Sequence, residues 1–199
     1  MWAAYTSGYP SPHRLVLWQV GTTKRLVLTR PGSIQYVGIS AAPGGRMWVW
    51  WVEGNKVFAT RTNPPVTAAG VVRRIVAPGG ASPTRTAGDG ALGPLDLVVN
   101  AQPGSGTAAM YSTRVLEELR MRVTPRRISA AKGRSVTVRV TDAGVPVRGA
   151  VVHLGKRDKR TGPKGKASFA IARSADKGVR TVVARASGYV AGKDTFRIK

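Results

Sequence analysis

The chain has 199 residues, of which 42% are hydrophobic, with 24 Gly, 13 Pro and a formal net charge of +23. That length holds one large or two small domains, and that apolar fraction excludes a chain disordered throughout. There is no cysteine, which excludes a disulfide framework and any thiolate metal site.

From the N-terminus, the sequence repeats itself. Met1-Trp2-Ala3-Ala4-Tyr5 aligns with Met47-Trp48-Val49-Trp50-Trp51 and with Asp96-Leu97-Val98-Val99-Asn100, at offsets of 46 and 49 residues. Each copy continues through a polar or Gly/Pro turn into a second apolar run: Leu15–Val20, Val57–Thr62 and Met110–Val115. The first two copies share a third element, Lys24–Leu28 and Val72–Val76, closing on Pro31-Gly32 and Pro78-Gly79. A fourth element, Gln35–Ser40, has a weaker counterpart in Thr84–Gly88. Each element is short, rich in β-branched and aromatic residues, and bounded by turn residues, which predicts strands. Four strands in roughly 45 residues is the arithmetic of a propeller blade, a sheet that buries its faces by stacking on its neighbours.

Residue 1 aligns inside a blade, so about two and a half blades are expected where closed propellers have roughly 4–8. The expectation is an N-terminally truncated part of a longer protein, or identical chains that close a ring together. Met1–Tyr5 has neither a basic n-region nor a long apolar stretch, so no signal peptide is expected in the chain itself. No apolar run reaches the roughly 18 residues of a membrane span.

The domain boundary is placed near Glu117-Glu118-Leu119, giving domains 1–118 and 119–199, with the two glutamates read as linker. Charge shifts there: residues 1–118 hold 11 Lys and Arg against 5 Asp and Glu, residues 119–199 hold 21 against 4. Beyond it, Arg120–Thr124 reads as a strand. Ser135–Val140 alternates strictly, with Val136, Val138 and Val140 on one face. A turn at Asp142-Ala143-Gly144 leads to strands at Ala150–Leu154, Lys166–Ala172, Arg180–Ala186 and Thr195–Ile198. Lys156–Arg160 is a polar, edge-like run and Thr161–Gly165 a turn. About seven short strands in about 80 residues predict a β-sandwich. The fold class expected is therefore all-β, a partial β-propeller followed by an immunoglobulin-like β-sandwich.

Two family resemblances go with these patterns. Gly45-Arg46-Met47-Trp48-Val49-Trp50-Trp51 with Val57–Asn63, and Gly93–Asn100, resemble blades of bacterial sialidase-like propellers. Gly144–Val152 is similar to the G-x-P-V-x-G-A-x-V signature of bacterial immunoglobulin-like and carboxypeptidase-regulatory-like domains. Thr161–Ala167 matches their T-x-x-x-G-x-A turn, and Val182–Tyr189 their closing A-x-G-Y strand. The second resemblance implies a non-catalytic spacer or adhesive module, and both imply a secreted or cell-surface protein.

The sialidase resemblance also implies an Arg cluster, a Tyr–Glu pair and an Asp acid, because a guanidinium fork matches a substrate carboxylate. Arg61, Arg114, Tyr111, Glu53, Asp89 and Asp96 are of those types but sit in no family motif. The S/T-x-D-x-G-x-x-W/F box is absent, Thr86–Gly90 being the nearest string. No catalytic residue is assigned. His13 and His153 fall in different domains, so no metal site is assigned, and neither is a cofactor: Gly79-Gly80 reads as a turn and not a phosphate cradle. The Trp residues read as packing between blades.

The basic run Lys156, Arg157, Lys159 and Arg160, with Lys164 and Lys166, is the candidate anion-binding site. On one hairpin it forms a positive ridge that grips phosphates or acidic glycans. No aromatic residue interleaves with it, so nucleic acid is expected to bind only non-specifically. The function expected is a non-catalytic binding or structural segment whose basic module spaces or attaches it to an anionic polymer. The alternatives are a fragment of a sialidase-like glycoside hydrolase and non-specific nucleic-acid binding. The partners expected besides the polymer are the remaining blades of a parent protein or another copy of the chain.

Overall fold

The structure is a computed structural model that describes residues 1–76, 82–102, 106–129 and 134–199. Its described residues form strands, turns and loops, without a helix, so the chain is all-β. It divides into two compact units, Met1–Glu117 and Glu118–Lys199. The turns expected at Pro78-Gly79 and Gly79-Gly80 lie outside the described residues.

In the first unit, β1 (Trp2–Ser7), β2 (Arg14–Gln19) and β3 (Arg25–Thr29) form one sheet. A second contains β4 (Ile34–Ala42), β5 (Arg46–Glu53), β6 (Lys56–Arg61) and β7 (Arg73–Ile75), and a third β8 (Ser82–Asp89), β9 (Leu95–Gln102) and β10 (Ala109–Val115). Every pairing joins consecutive strands antiparallel. Among the described residues no closed propeller is formed.

The middle strand β5 explains the stacking. Its alternation sends Trp48, Trp50 and Val52 to one face and Val49 and Trp51 to the other. The first set packs with Leu95, Leu97 and Val99 of the third sheet. The second packs with Leu15 and Leu17 of the first sheet, beside Trp2, Ala4, Leu26 and Leu28. Both indole N–H groups on the third-sheet side find partners: Trp48 Nε1 donates to Gly93 O at 2.7 Å and Trp50 Nε1 to Thr86 Oγ1 at 3.2 Å. Gly38 and Gly90 have no side chain for a packing reason, since a Cβ at either would run into the Trp50 or Trp48 ring.

Two features of the repeat differ from expectation. The fourth element belongs to the following copy: Gln35–Ser40 lies in β4, which hydrogen-bonds β5, and Thr84–Gly88 lies in β8, which hydrogen-bonds β9. The third copy is also displaced by one residue from the alignment at offset 49. Leu97 faces the preceding sheet as Val49 does, so Trp48 and Trp50 correspond to Asp96 and Val98. A slip of one residue exchanges the faces of a strand.

Register places Ala3, Tyr5, Val16, Trp18 and Val27 together with Arg25 on the outward face of the first sheet. On the third sheet it places Asp96, Val98, Asn100, Ser112 and Arg114 together.

The second unit contains β11 (Glu117–Glu118, across the unit boundary), β12 (Arg120–Thr124), β13 (Arg127–Ile128), β14 (Arg134–Asp142), β15 (Val145–Pro146) and β16 (Val151–Leu154). It continues with β17 (Arg157–Arg160), β18 (Lys166–Ile171), β19 (Gly178–Arg185), β20 (Tyr189–Val190) and β21 (Gly192–Ile198). β14 pairs with β12, β15 and β18 in a four-stranded sheet, and a five-stranded sheet runs β13-β21-β19-β16-β17. The two share one core, with Val136, Val138, Val140 and Phe169 from one sheet and Val152, Leu154, Val182 and Phe196 from the other. Alternation again sorts the residues: β18 buries Ala167, Phe169 and Ile171 and exposes Lys166, Ser168 and Ala170.

Candidate anion-binding surface

The residues expected to form a basic ridge are divided between the two sheets. Lys156 sits in the β16–β17 turn, and β17 is the edge strand of the five-stranded sheet. Arg157 and Lys159 pair with Leu154 and Val152, so they lean toward the core side. Each cation lies 5.7 Å from the Phe169 ring, and Arg157 Nη1 donates to Ala170 O at 2.6 Å. Their stems cover the open edge of the core. Arg160 points the other way with Asp158, and its Nη1 donates to Gly149 O at 3.3 Å. Asp158 in turn is 2.6 Å from His153 Nδ1. Lys164 is in the following turn, and Lys166 stands on the outward face of the four-stranded sheet.

On that outward face the structure brings together cations that the sequence reading did not group. Arg122 of β12 is the direct partner of Arg139 in β14, and Arg139 is the direct partner of Lys166 in β18. All three are exposed. Two residues along the strands, Thr124, Thr137 and Ser168 form a parallel row of hydroxyls, with Thr137 Oγ1 and Ser168 Oγ 2.9 Å apart. On the other side of the cations stand Arg120 and Thr141, also register partners. A shallow groove of about 310 Å³ there is lined by Arg120, Arg122, Arg126, Arg139 and Thr141 among others. Arg126 is held by Asp194, with Nη1 3.3 Å from Oδ1. Arg122 and Arg139 were each readable as solvent-facing from strand alternation. Their alignment across strands depends on register, which no single strand encodes.

The aspartates of this unit are engaged within it. Asp194 Oδ2 accepts from Val123 N at 2.8 Å, and buried Asp142 accepts from the Tyr189 hydroxyl at 2.9 Å. Asp176 lies 3.9 Å from Arg180.

Of the first unit's candidate groups, register brings Asp89, Asp96 and Arg114 side by side across β8, β9 and β10, and the others stand apart from them. Glu53 accepts from Arg30 Nε and Gly32 N, both at 3.0 Å, and the Arg30 guanidinium lies 4.9 Å from the centre of the Phe58 ring. The Arg61 guanidinium is 5.6 Å from the centre of the Trp48 ring. Asp89 accepts from Ser40 Oγ at 3.1 Å and Ala91 N at 3.0 Å. Asp96 receives two bonds from Arg114, at 2.8 and 3.1 Å. That hydrogen bonding holds the Asp96 carboxyl below the usual carboxylate range and raises Arg114. A glycosidase acid needs the opposite shift. Tyr111 is half-buried beside the core shared with the third sheet.

Glu117, read as linker, is buried instead, and its carboxylate accepts from Arg61 N and Val71 N, both at 3.0 Å. Among the described residues no cluster of three His, Cys, Asp or Glu could hold a metal ion. Comparison with known protein families and with curated proteins finds no match for this chain.

Proposed function

We infer that this chain is a non-catalytic binding segment of a secreted or cell-surface protein, in which sheets of the propeller type carry a basic immunoglobulin-like module that attaches to an anionic polymer. The observation that carries the reading is the row Arg122–Arg139–Lys166 on a face without a carboxylate. Like charges placed directly opposite on neighbouring strands destabilise a sheet, and an anionic ligand offsets that repulsion. With 21 Lys and Arg against 4 Asp and Glu in residues 119–199, the positive field is largely uncompensated, and such a field raises the local concentration of polyanions.

The propeller part of the reading is supported by three successive antiparallel sheets whose cores interleave through β5. The outward face of the first sheet, where Ala3, Tyr5, Trp18 and Val27 stand beside Arg25, suits a further sheet of the same kind, from a longer parent or another copy. The immunoglobulin-like part is supported by how its three sequence signatures meet. Thr161 Oγ1 donates to Val147 O and accepts from Ala150 N, while Tyr189 reaches Asp142 beside the first turn.

The test is binding of the full chain to a glycerol-phosphate polymer and to neutral dextran at rising salt. Attachment to the charged polymer that persists near ~0.15 M salt, with none to dextran, is the expected result. Equal weak binding to both overturns the reading.

A further inference from the structure

The outward face of the four-stranded sheet offers more than charge. Its three cations are consecutive register partners across β12, β14 and β18. Neighbouring strands are about 4.8 Å apart, so the row crosses the sheet over roughly 10 Å, perpendicular to the strands. The adjoining hydroxyl row, Thr124–Thr137–Ser168, runs parallel to it. An extended polyanion laid along the cations therefore meets guanidinium forks on one flank and hydroxyl donors on the other.

Among the described residues, the face holds no aromatic residue. Recognition of bases or of sugar rings relies on aromatic planes, which stack on either. Forks and hydroxyls without such planes match the charged oxygens of a polymer and leave its other groups unread. We propose that this face, through Arg122, Arg139 and Lys166, binds a base-free phosphodiester chain such as a polyol phosphate. The proposal rests on the reading of the second unit as an anionic-polymer module and names its site and ligand class. The β16–β17 hairpin is not that site, because its cations are turned to opposite sides of an edge strand and two of them cover Phe169.

The experiment measures the affinity of the full chain for a glycerol-phosphate polymer as a function of salt, for three proteins. They are the wild type, the row variant Arg122→Ser/Arg139→Ser/Lys166→Ser, and a hairpin variant of equal charge loss, Lys156→Ser/Lys159→Ser/Lys164→Ser. Counter-ion release predicts that the row variant loses about 2 units of the log–log salt slope, about 0.7 per cation as for a single-stranded polyphosphate. The hairpin variant keeps the wild-type slope within about half a unit. Removing aligned like charges leaves the thermal midpoint no lower than that of wild type. The single variant Arg139→Ser, at the centre of the row, loses about 0.7 unit and confirms the site by itself.

If row and hairpin variants lose equal slope, net charge holds the polymer and the proposed site is overturned, while the attachment reading survives. If the wild type does not bind near ~0.15 M salt, both fail. Equal affinity for duplex DNA or for a polygalacturonate, with the same dependence on the row, overturns the base-free phosphodiester class.

Discussion

At the scale of single residues, the groups that look chemical in the sequence hold the fold together. Thr161 Oγ1 joins two backbone groups of the Val147–Ala150 loop at 2.6 and 2.9 Å. Thr161→Val removes both bonds and leaves a buried N–H without a partner, so it is expected to destabilise the second unit by about 2 kcal/mol. Thr161→Ser, which keeps the hydroxyl, is expected to retain most of that stability when both variants are unfolded in urea. Glu117 plays the corresponding part in the first unit. Removing a buried carboxylate bonded to two backbone N–H groups costs about 3 kcal/mol, and Glu117→Ala should lower the unfolding midpoint accordingly. All five Trp lie in the first unit, so Trp fluorescence reports its unfolding alone. The Asp96–Arg114 pair gives a pH signature. The carboxyl is depressed by its hydrogen bonds to Arg114. Its contribution is present above the usual Asp range and is lost as pH falls through the depressed value. The stability difference between wild type and Asp96→Asn should therefore be small and vanish in acid, and a difference that grows on acidification would contradict the assignment. The role of Glu117 was not legible, because two adjacent acids after a strand read equally well as linker. Only the approach of the Arg61 and Val71 backbone reveals the buried site.

At the scale of elements, the strength of alternation decided what the sequence could reveal. Val136, Val138 and Val140 alternate with polar residues, and all three are buried as the pattern requires. The β9 core is the contrary case. Leu97-Val98-Val99 is apolar on both faces, so pattern alone leaves its facing open, and the alignment chose the wrong one. The pairings with β8 and β10 set it, with an irregularity in β8 between Pro83 and Arg85. The basic hairpin fails for a related reason: the four consecutive polar residues of β17 divide between its faces. The packing of β5 makes a strong prediction. Trp50→Ala removes the side chain that spans to the third sheet and should destabilise the first unit by about 3–5 kcal/mol in denaturant. Gly38→Ala should also destabilise it, since the new methyl enters the space of the same ring. A Gly38→Ala protein as stable as wild type would show that β4 and Trp50 are not packed this way.

At the scale of the whole molecule, the all-β class was legible because nearly every apolar run is short and closed by Gly or Pro. The charge asymmetry was legible by counting. Where the charge concentrates was not, since the Arg122–Arg139–Lys166 row joins positions distant in sequence through two strand registers. The polymer attachment proposed above falls in residues 118–199, apart from the aromatic-rich packing of the first unit. The most direct test is a backbone NMR titration of the full chain with glycerol-phosphate polymer. Shifts confined to the second unit and centred on Arg122, Arg139 and Lys166 are predicted. Shifts centred on the first unit, or on the Lys156–Arg160 hairpin, would contradict the account.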